Sequence, residues 1–139
     1  MAPTIEQVMV AIESRLATIT GLRTTEYTPD QINPPHAIVG VPAIPEYRTT
    51  FGRGVFTLEP TITVLVSAVL DKRGQLKLAS YANVTGASSI PAAIEADRTL
   101  GGVVDECWVL SFRPLGLEEV GQIGYYGGVF DLRTVAKGV

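Results

Sequence analysis

The first twenty residues place apolar and polar positions with the period of an α-helix. Apolar residues recur three, four and seven positions apart and therefore share one helical face. The members of this set are Ile5, Val8, Met9, Ile12, Leu16 and Ile19. Thr4 can cap the helix because Gln7 follows three residues later, as a capping box requires, and Gly21 is suited to end it. The pattern predicts an amphipathic N-terminal helix with a polar opposite face.

Later segments have the pattern of strands. Between residues 60 and 70, Ile62, Val64 and Val66 alternate with the side chains of a second face, which is typical of a half-covered sheet. Further strands are predicted over residues 36–41, 103–113, 118–126 and 129–136. The residues expected to point into the core are Trp108, Leu110 and Phe112 on one strand, and Phe130 and Leu132 on another. The Gly127-Gly128 pair is expected to form the turn between the last two strands.

Two short helices are predicted between the strands. One covers residues 74–83, and the other begins after Ser88 or Ser89, with Pro91 in its first turn and Ile90 and Ile94 on one face. The order of helix, strands, two helices and strands predicts an α+β fold. In this fold a mainly antiparallel sheet is flanked by the N-terminal helix and two short central helices. All 139 residues are expected to form a single domain.

Charge and cysteine content argue against several classes of function. The chain carries a formal charge of −3, and residues 94–119 alone carry −4. Because no basic stripe is present, we expect no stable binding of nucleic acid through its phosphates, although nucleic acid could pass along the surface. No apolar run approaches the roughly 18 residues of a membrane span, and the N-terminus shows no secretory signal. The single cysteine, Cys107, excludes an intrachain disulfide and favours assembly in a reducing compartment.

The residues that carry most enzyme chemistry are sparse in this sequence. His36 is the only histidine and Cys107 the only cysteine, so neither has a second residue of its kind with which to hold a metal. The glycine-rich stretches lack the spacing of a phosphate loop, and adjacent acids such as Asp105-Glu106 split onto opposite faces of a strand. We therefore expect no enzyme, no metal and no cofactor. A hydrolase that pairs Cys107 with His36 is a remote alternative, because a free cysteine is usually a core residue.

Residues 45–59 have a composition that favours contact with another protein. Aromatic and arginine side chains surround two flexible glycines, without any lysine. The candidate subunit-interface residues are Tyr47, Arg48, Phe51, Arg53 and Phe56. Two interpretations are about equally supported. The segment is either an arm that grips a neighbouring subunit or an ordinary hairpin that packs Phe51 or Phe56 onto its own sheet.

Several passages resemble one family of virus proteins. They are residues 5–16, 34–37 and 70–75 and, most clearly, the stretch 85–102, which begins Thr-Gly-Ala-Ser-Ser-Ile and ends Thr-Leu-Gly-Gly. Together they resemble the tail terminator, or tail-completion, proteins of long-tailed bacteriophages. The likeness extends over most of the chain, and its motifs are structural.

The resemblance implies a structural virion protein at the neck end of the tail, assembled in the cytoplasm of the host bacterium. Such a protein forms a homo-hexameric ring that caps the tail tube protein, stops tube polymerisation and offers its other face to a head-side connector or stopper protein. Genomic DNA passes through the lumen without specific binding. The family has no catalytic residues, so the resemblance transfers none to this chain.

Two alternatives remain beside the tail terminator. The chain could be another component of the neck or head–tail connector. It could also be a monomeric ligand-binding module with a pocket near Trp108, Tyr125 and Tyr126. These aromatic residues would suit the wall of a cleft, although such residues more often belong to a core.

Overall fold

The predicted N-terminal helix is the first element of the chain. A computed structural model describes residues 3–25, 35–46, 55–67, 71–120 and 123–137. The helices in these ranges are α1 (Ile5–Leu16), α2 (Asp71–Ala82) and α3 (Ile90–Glu95). The strands are β1 (Arg23–Thr25), β2 (His36–Val39), β3 (Ala43–Glu46), β4 (Val55–Glu59), β5 (Thr61–Ser67), β6 (Glu106–Val120) and β7 (Ile123–Lys137).

Local sequence signals determine where α1 and α3 begin. The Thr4 hydroxyl accepts a hydrogen bond from the Gln7 backbone N–H at 3.1 Å, and the Gln7 side chain accepts one from the Thr4 N–H at 2.8 Å, which confirms the capping box. Ser89 caps α3 by accepting a hydrogen bond from the Ala92 N–H at 3.1 Å. Helix α1 ends at Leu16, before Gly21, and Ile19 reaches the core from the following turn.

The described strands form one mostly antiparallel sheet. Its hydrogen-bonded order is β1-β2-β5-β7-β4-β3, in which β5 and β4 both pair with one edge of β7. Strand β6 pairs with the opposite edge of β7. Only the pairing of β1 with β2 is parallel among these strands. The α+β fold with a mainly antiparallel sheet is therefore confirmed.

Strands β4 and β5 lie end to end along one edge of β7. Leu58 is opposite Thr134 and Thr61 is opposite Asp131, so the register passes Pro60 without a shift. The Pro60 carbonyl accepts a hydrogen bond from the Leu132 N–H at 2.9 Å, although proline itself has no N–H to donate. Strand β7 thus lies between β6 on one side and the β4–β5 line on the other.

The expected turn at Gly127-Gly128 is wrong. Strand β7 runs through both glycines, which are opposite Gly116 and Pro114 of β6. The last cross-strand pair of this ribbon is Val120 with Ile123. The expected strands 118–126 and 129–136 therefore do not exist as separate elements, because residues 106–120 and 123–137 each form one long strand.

The expected core set of Trp108, Leu110 and Phe112 is confirmed for Phe112 and wrong for Trp108 and Leu110, because β6 contains a bulge. Val109 is opposite Leu132 and Ser111 is opposite Asp131, so Leu110 is an extra residue and is 51% exposed. Before the bulge, Cys107 and Val109 lie on the core face. After it, Phe112 does, whereas Trp108 lies on the opposite face.

All three described helices pack on the same face of the sheet. Helix α1 contributes four fully or nearly buried residues to the core, α2 contributes Leu78 and Tyr81, and α3 contributes Ile90 and Ile94. The sheet meets them with Ile62, Val64, Val66, Phe130 and Leu132. No helix of the described ranges packs on the second face of the sheet, which we call the open face.

Candidate subunit interfaces

The structure separates the predicted interface residues into two groups. Tyr47, Arg48, Phe51 and Arg53 lie outside the described residues. Phe56 lies on β4 opposite Ala136, is 8% exposed and belongs to the hydrophobic core, so it is not a surface contact in this subunit. The flanking strands β3 and β4 are antiparallel, with Glu46 opposite Thr57, as a hairpin requires.

A groove lies between the outward face of α1 and the turn that follows α3. Its volume is about 840 Å³. The residues that line it are Pro3, Glu6, Gln7, Val10, Ala11, Ser14 and Arg15 from the N-terminal segment, and Asp97, Leu100, Gly101, Gly102 and Val103 from the turn. We call this feature the α1–turn groove. Val10 is 39% exposed there, on the side of α1 that is otherwise polar.

The carboxylate of Asp97 organises the turn side of the groove. It accepts hydrogen bonds from the Thr99 N–H at 3.2 Å, the Thr99 hydroxyl at 2.8 Å and the Gly101 N–H at 2.9 Å. The hydrogen bond from the Thr99 side chain is the main cause that lowers the pKa of Asp97, followed by the one from Gly101. The ionised carboxylate is therefore a structural part of the turn.

Three consecutive residues of this turn have left-handed backbone conformations. Their φ angles are 51° at Leu100, 73° at Gly101 and 89° at Gly102. Glycine adopts such angles without a steric cost, whereas Leu100 does so at a cost of about 1–2 kcal/mol. Leu100 is 3% exposed, so burial of its side chain offsets that strain. A Cβ at either glycine would meet no atom within 4 Å, so the turn exposes bare backbone at these two positions.

A hydrogen bond from Arg15 of α1 to α3 connects the two sides of the groove. The Arg15 Nε donates a hydrogen bond at 3.1 Å to the Ala93 carbonyl of α3, although the two residues are 78 positions apart. Because Asp97 follows α3 directly, this bond fixes the distance between α1 and the turn. The groove is therefore a preformed feature of the subunit.

The lining of the groove carries a small excess of negative charge. Its charged residues are Glu6 and Asp97 against Arg15. Arg98 forms ion pairs with Glu95 at 3.2 Å and Glu106 at 3.1 Å. Glu6 is exposed at the groove and forms no ion pair with any residue in the described ranges.

The open face of the sheet carries threonines, valines and paired charges. Arg113 contacts Asp131 at 3.0 Å, and Arg133 contacts Glu59 at 3.2 Å. Trp108 is directly opposite Arg133 in the sheet. This face is neither a continuous apolar patch nor a strongly charged one. It differs in chemistry from the α1–turn groove on the helical side.

Strand β6 adds two exposed leucines at its irregular positions. Leu110 and Leu115 are 51% and 38% exposed, and each occupies a shift in the register with β7. Among the described strands, β6 pairs only with β7, so its second edge has no strand beside it there. Bulges at such an edge hinder unwanted strand pairing.

The structure does not bring Cys107 and His36 together. Cys107 lies beside Thr134, which is opposite Leu58, whereas His36 is opposite Leu65. The two sites are separated by seven residues, or about 23 Å, along the strand direction and lie on opposite faces of the sheet. The hydrolase alternative therefore loses its catalytic pair.

Each of these two side chains has a local structural environment. Cys107 is fully buried and accepts a hydrogen bond from the Thr134 hydroxyl at 3.3 Å; burial raises the pKa of its thiol to about 11. His36 is 5% exposed, with its Nε2 3.0 Å from the Thr25 hydroxyl. Burial is the main cause that lowers the pKa of His36, and the nearby positive charge of Arg23 adds to it.

The proposed aromatic ligand pocket is not formed by the residues expected to line it. Trp108 is opposite Arg133 on the open face, whereas Tyr126 packs against the core on the other face, seven residues away along β7. The side chain of Tyr125 lies outside the described part of the structure. Residues 71–120 and the other described ranges also contain no group of three or more acidic, histidine or cysteine side chains placed to hold a metal.

One residue in the sequence pattern of α1 points to the α1–turn groove. Val10 lies four residues after Glu6 and four before Ser14, which makes it an apolar residue on the polar face of the helix. No helix within the described ranges is long and apolar enough to span a membrane. No protein-family model matches the chain, and no curated protein is significantly similar to it.

Proposed function

We propose that this chain is a structural virion protein that forms a homo-hexameric ring on the end of a bacteriophage tail tube. The ring stops tube polymerisation by covering the last ring of tail tube protein, and its other side provides the attachment face for a head-side connector or stopper protein. The proposal places it at the neck end of the virion tail, after assembly in the host cytoplasm. It involves no catalytic step, metal or cofactor.

The observation that supports a ring most is the presence of two different surfaces on opposite sides of the sheet. One is the α1–turn groove on the helical side, and the other is the open face. Subunits in a ring contact each other head to tail, so a subunit whose two sides differ in chemistry suits this arrangement. A subunit with one self-complementary patch would instead favour a dimer with two-fold symmetry.

The charge of the chain is compatible with the passage of DNA through such a ring. The formal charge is −3, and Arg113 and Arg133 are each paired with an acidic neighbour. An excess of basic side chains around a lumen would bind phosphates and retard the genome. A chain with net negative charge has no such excess, which supports passage without specific binding.

Two other functions compete with this proposal. Another neck or connector component would use similar surfaces and differ only in its neighbours. A monomeric ligand-binding module is favoured by one observation, because about 840 Å³ in the α1–turn groove falls within the usual range of ligand pockets. A thermal-shift screen against common metabolites distinguishes the module, since a ligand would raise the midpoint of unfolding.

Electron microscopy provides the direct test of the ring. We expect the purified chain, mixed with polymerised tail tube protein, to appear as one annulus at the tube end with six subunits in projection. Tube protein alone is the control. Annuli seen along the sides of tubes, or bare tube ends at saturating concentrations of the chain, would contradict the proposal.

A further inference from the structure

We propose that the α1–turn groove binds residues 47–54 of a second copy of this chain. The inference rests on the proposed ring function, and it names the surface through which one subunit receives the next. Residues 47–54 lie outside the described residues, so the inference uses only their composition.

The groove has features that suit it to bind a segment of another chain. Its lining includes the exposed side chain of Val10 and the backbone of Gly101 and Gly102. Because the two glycines have no side chain, another chain can approach the backbone closely at that point. The hydrogen bond from Arg15 to Ala93 and the hydrogen bonds to Asp97 hold both sides in place, so little ordering is needed on binding.

The charges of the groove and the segment are complementary. The charged residues that line the groove are two acids, Glu6 and Asp97, and one base, Arg15, whereas residues 47–54 contain Arg48 and Arg53 and no acid. The Asp97 carboxylate accepts hydrogen bonds within the turn, whereas Glu6 is exposed and forms no ion pair with any residue of the described ranges. Complementary charge steers association and fixes the register of a contact.

The apolar parts match as well. Residues 47–54 contain Tyr47 and Phe51, the two aromatic side chains of that segment, on a stretch that includes two glycines. Aromatic residues and arginine are the usual anchors of protein interfaces. The groove supplies apolar surface from Val10, Ala11 and Val103 to receive them.

Cross-linking between two single-cysteine variants tests the contact. In a Cys107→Ser background, Val10→Cys places a thiol in the groove and Arg53→Cys places one on the segment. A short bismaleimide should join an equal mixture of the two variants into a covalent heterodimer. The matched control is Leu76→Cys mixed with Arg53→Cys, because Leu76 is 61% exposed on α2 and lies outside the groove.

The possible outcomes separate a failure of the groove contact from a failure of the ring proposal. A heterodimer with Val10→Cys and none with Leu76→Cys supports the inference. Equal cross-linking of both mixtures overturns it, as does a chain with both cysteines that cross-links only within itself. If annuli form on tube ends but the Val10→Cys mixture stays unlinked, the groove contact is wrong and the ring function stands. If neither annuli nor heterodimers form, both proposals are wrong.

A charge exchange provides a second test. Glu6→Lys and Arg53→Glu should each weaken self-association by about 2- to 5-fold, the range expected for an exposed ion pair. Both changes in one chain should restore it, because the charges are again opposite. Rescue would not follow from a folding defect, so a double variant that is weaker than either single one would overturn the contact.

Discussion

The ring of Phe112 occupies the space in which Gly128, on the neighbouring strand, would carry a Cβ. A Cβ there would overlap the Cε1 and Cζ atoms of the ring. The same ring packs against Phe130, with centroids 4.7 Å apart and planes at 44°. Packing against the Phe112 ring therefore accounts for a glycine at position 128 inside a strand.

Substitution of this glycine should destabilise the subunit. We expect Gly128→Ala to lower the free energy of unfolding by about 1–3 kcal/mol, as overpacking of a core does. Urea denaturation measures it. In a Phe112→Leu background the loss should be smaller, because the overlapping ring is gone. Equal losses in both backgrounds would show that the overlap is not the cause.

The bulge in β6 can be tested with two matched leucines. Leu110→Ala should change the free energy of unfolding by less than about 0.5 kcal/mol, because Leu110 is mostly exposed. Leu132→Ala, at a fully buried position opposite Val109, should cost about 2–5 kcal/mol. Chemical denaturation of both variants gives the comparison. A larger loss of stability for Leu110→Ala than for Leu132→Ala would indicate that Leu110 points into the core, as the sequence pattern predicts.

The stability of the protein should depend on the protonation of His36. The pKa of His36 is lowered from 6.5 in the folded state, so the unfolded chain binds the proton more readily. Stability should therefore fall as the pH drops below about 6.5 and level off, for this group, below the folded pKa.

His36→Gln isolates this effect from that of the carboxylates. Thermal unfolding between pH 7.5 and 5.5 should show a shallower decline for this variant than for the original chain. Identical pH profiles would indicate that His36 does not titrate differently in the two states.

Cys107 should react slowly in the folded protein. Its thiol is fully buried and burial raises its pKa to about 11, so the nucleophilic thiolate is scarce at pH 8. We expect iodoacetamide to label the native chain at least about 100-fold more slowly than the chain in urea. Mass spectrometry follows the labelling. Native and denatured rates within a factor of ten would contradict the buried position.

Features that depend on neighbouring residues can be predicted from this sequence, whereas features that depend on pairing between distant segments cannot. The sequence predicts the cap at Thr4 and places the second cap at Ser88 or Ser89, of which the structure uses Ser89, because each cap involves only residues three positions apart. The face of Trp108 was assigned wrongly because one extra residue at Leu110 reverses the alternation, and no local pattern marks that position. The α1–turn groove could not be predicted, because the segments that line it are about 80 positions apart in the sequence. Its one sign in the sequence pattern is Val10, an apolar residue on the polar face of α1.

Growth of tail tubes from preformed ends tests the central proposal most directly. Short tubes are first incubated with the chain, fluorescent tail tube protein is then added, and the labelled length at each end is measured by microscopy. The ring proposal predicts that one end of each tube stops growing once the chain has bound, whereas tubes without the chain elongate at that end. Unchanged elongation at both ends, at concentrations that saturate binding, would contradict it.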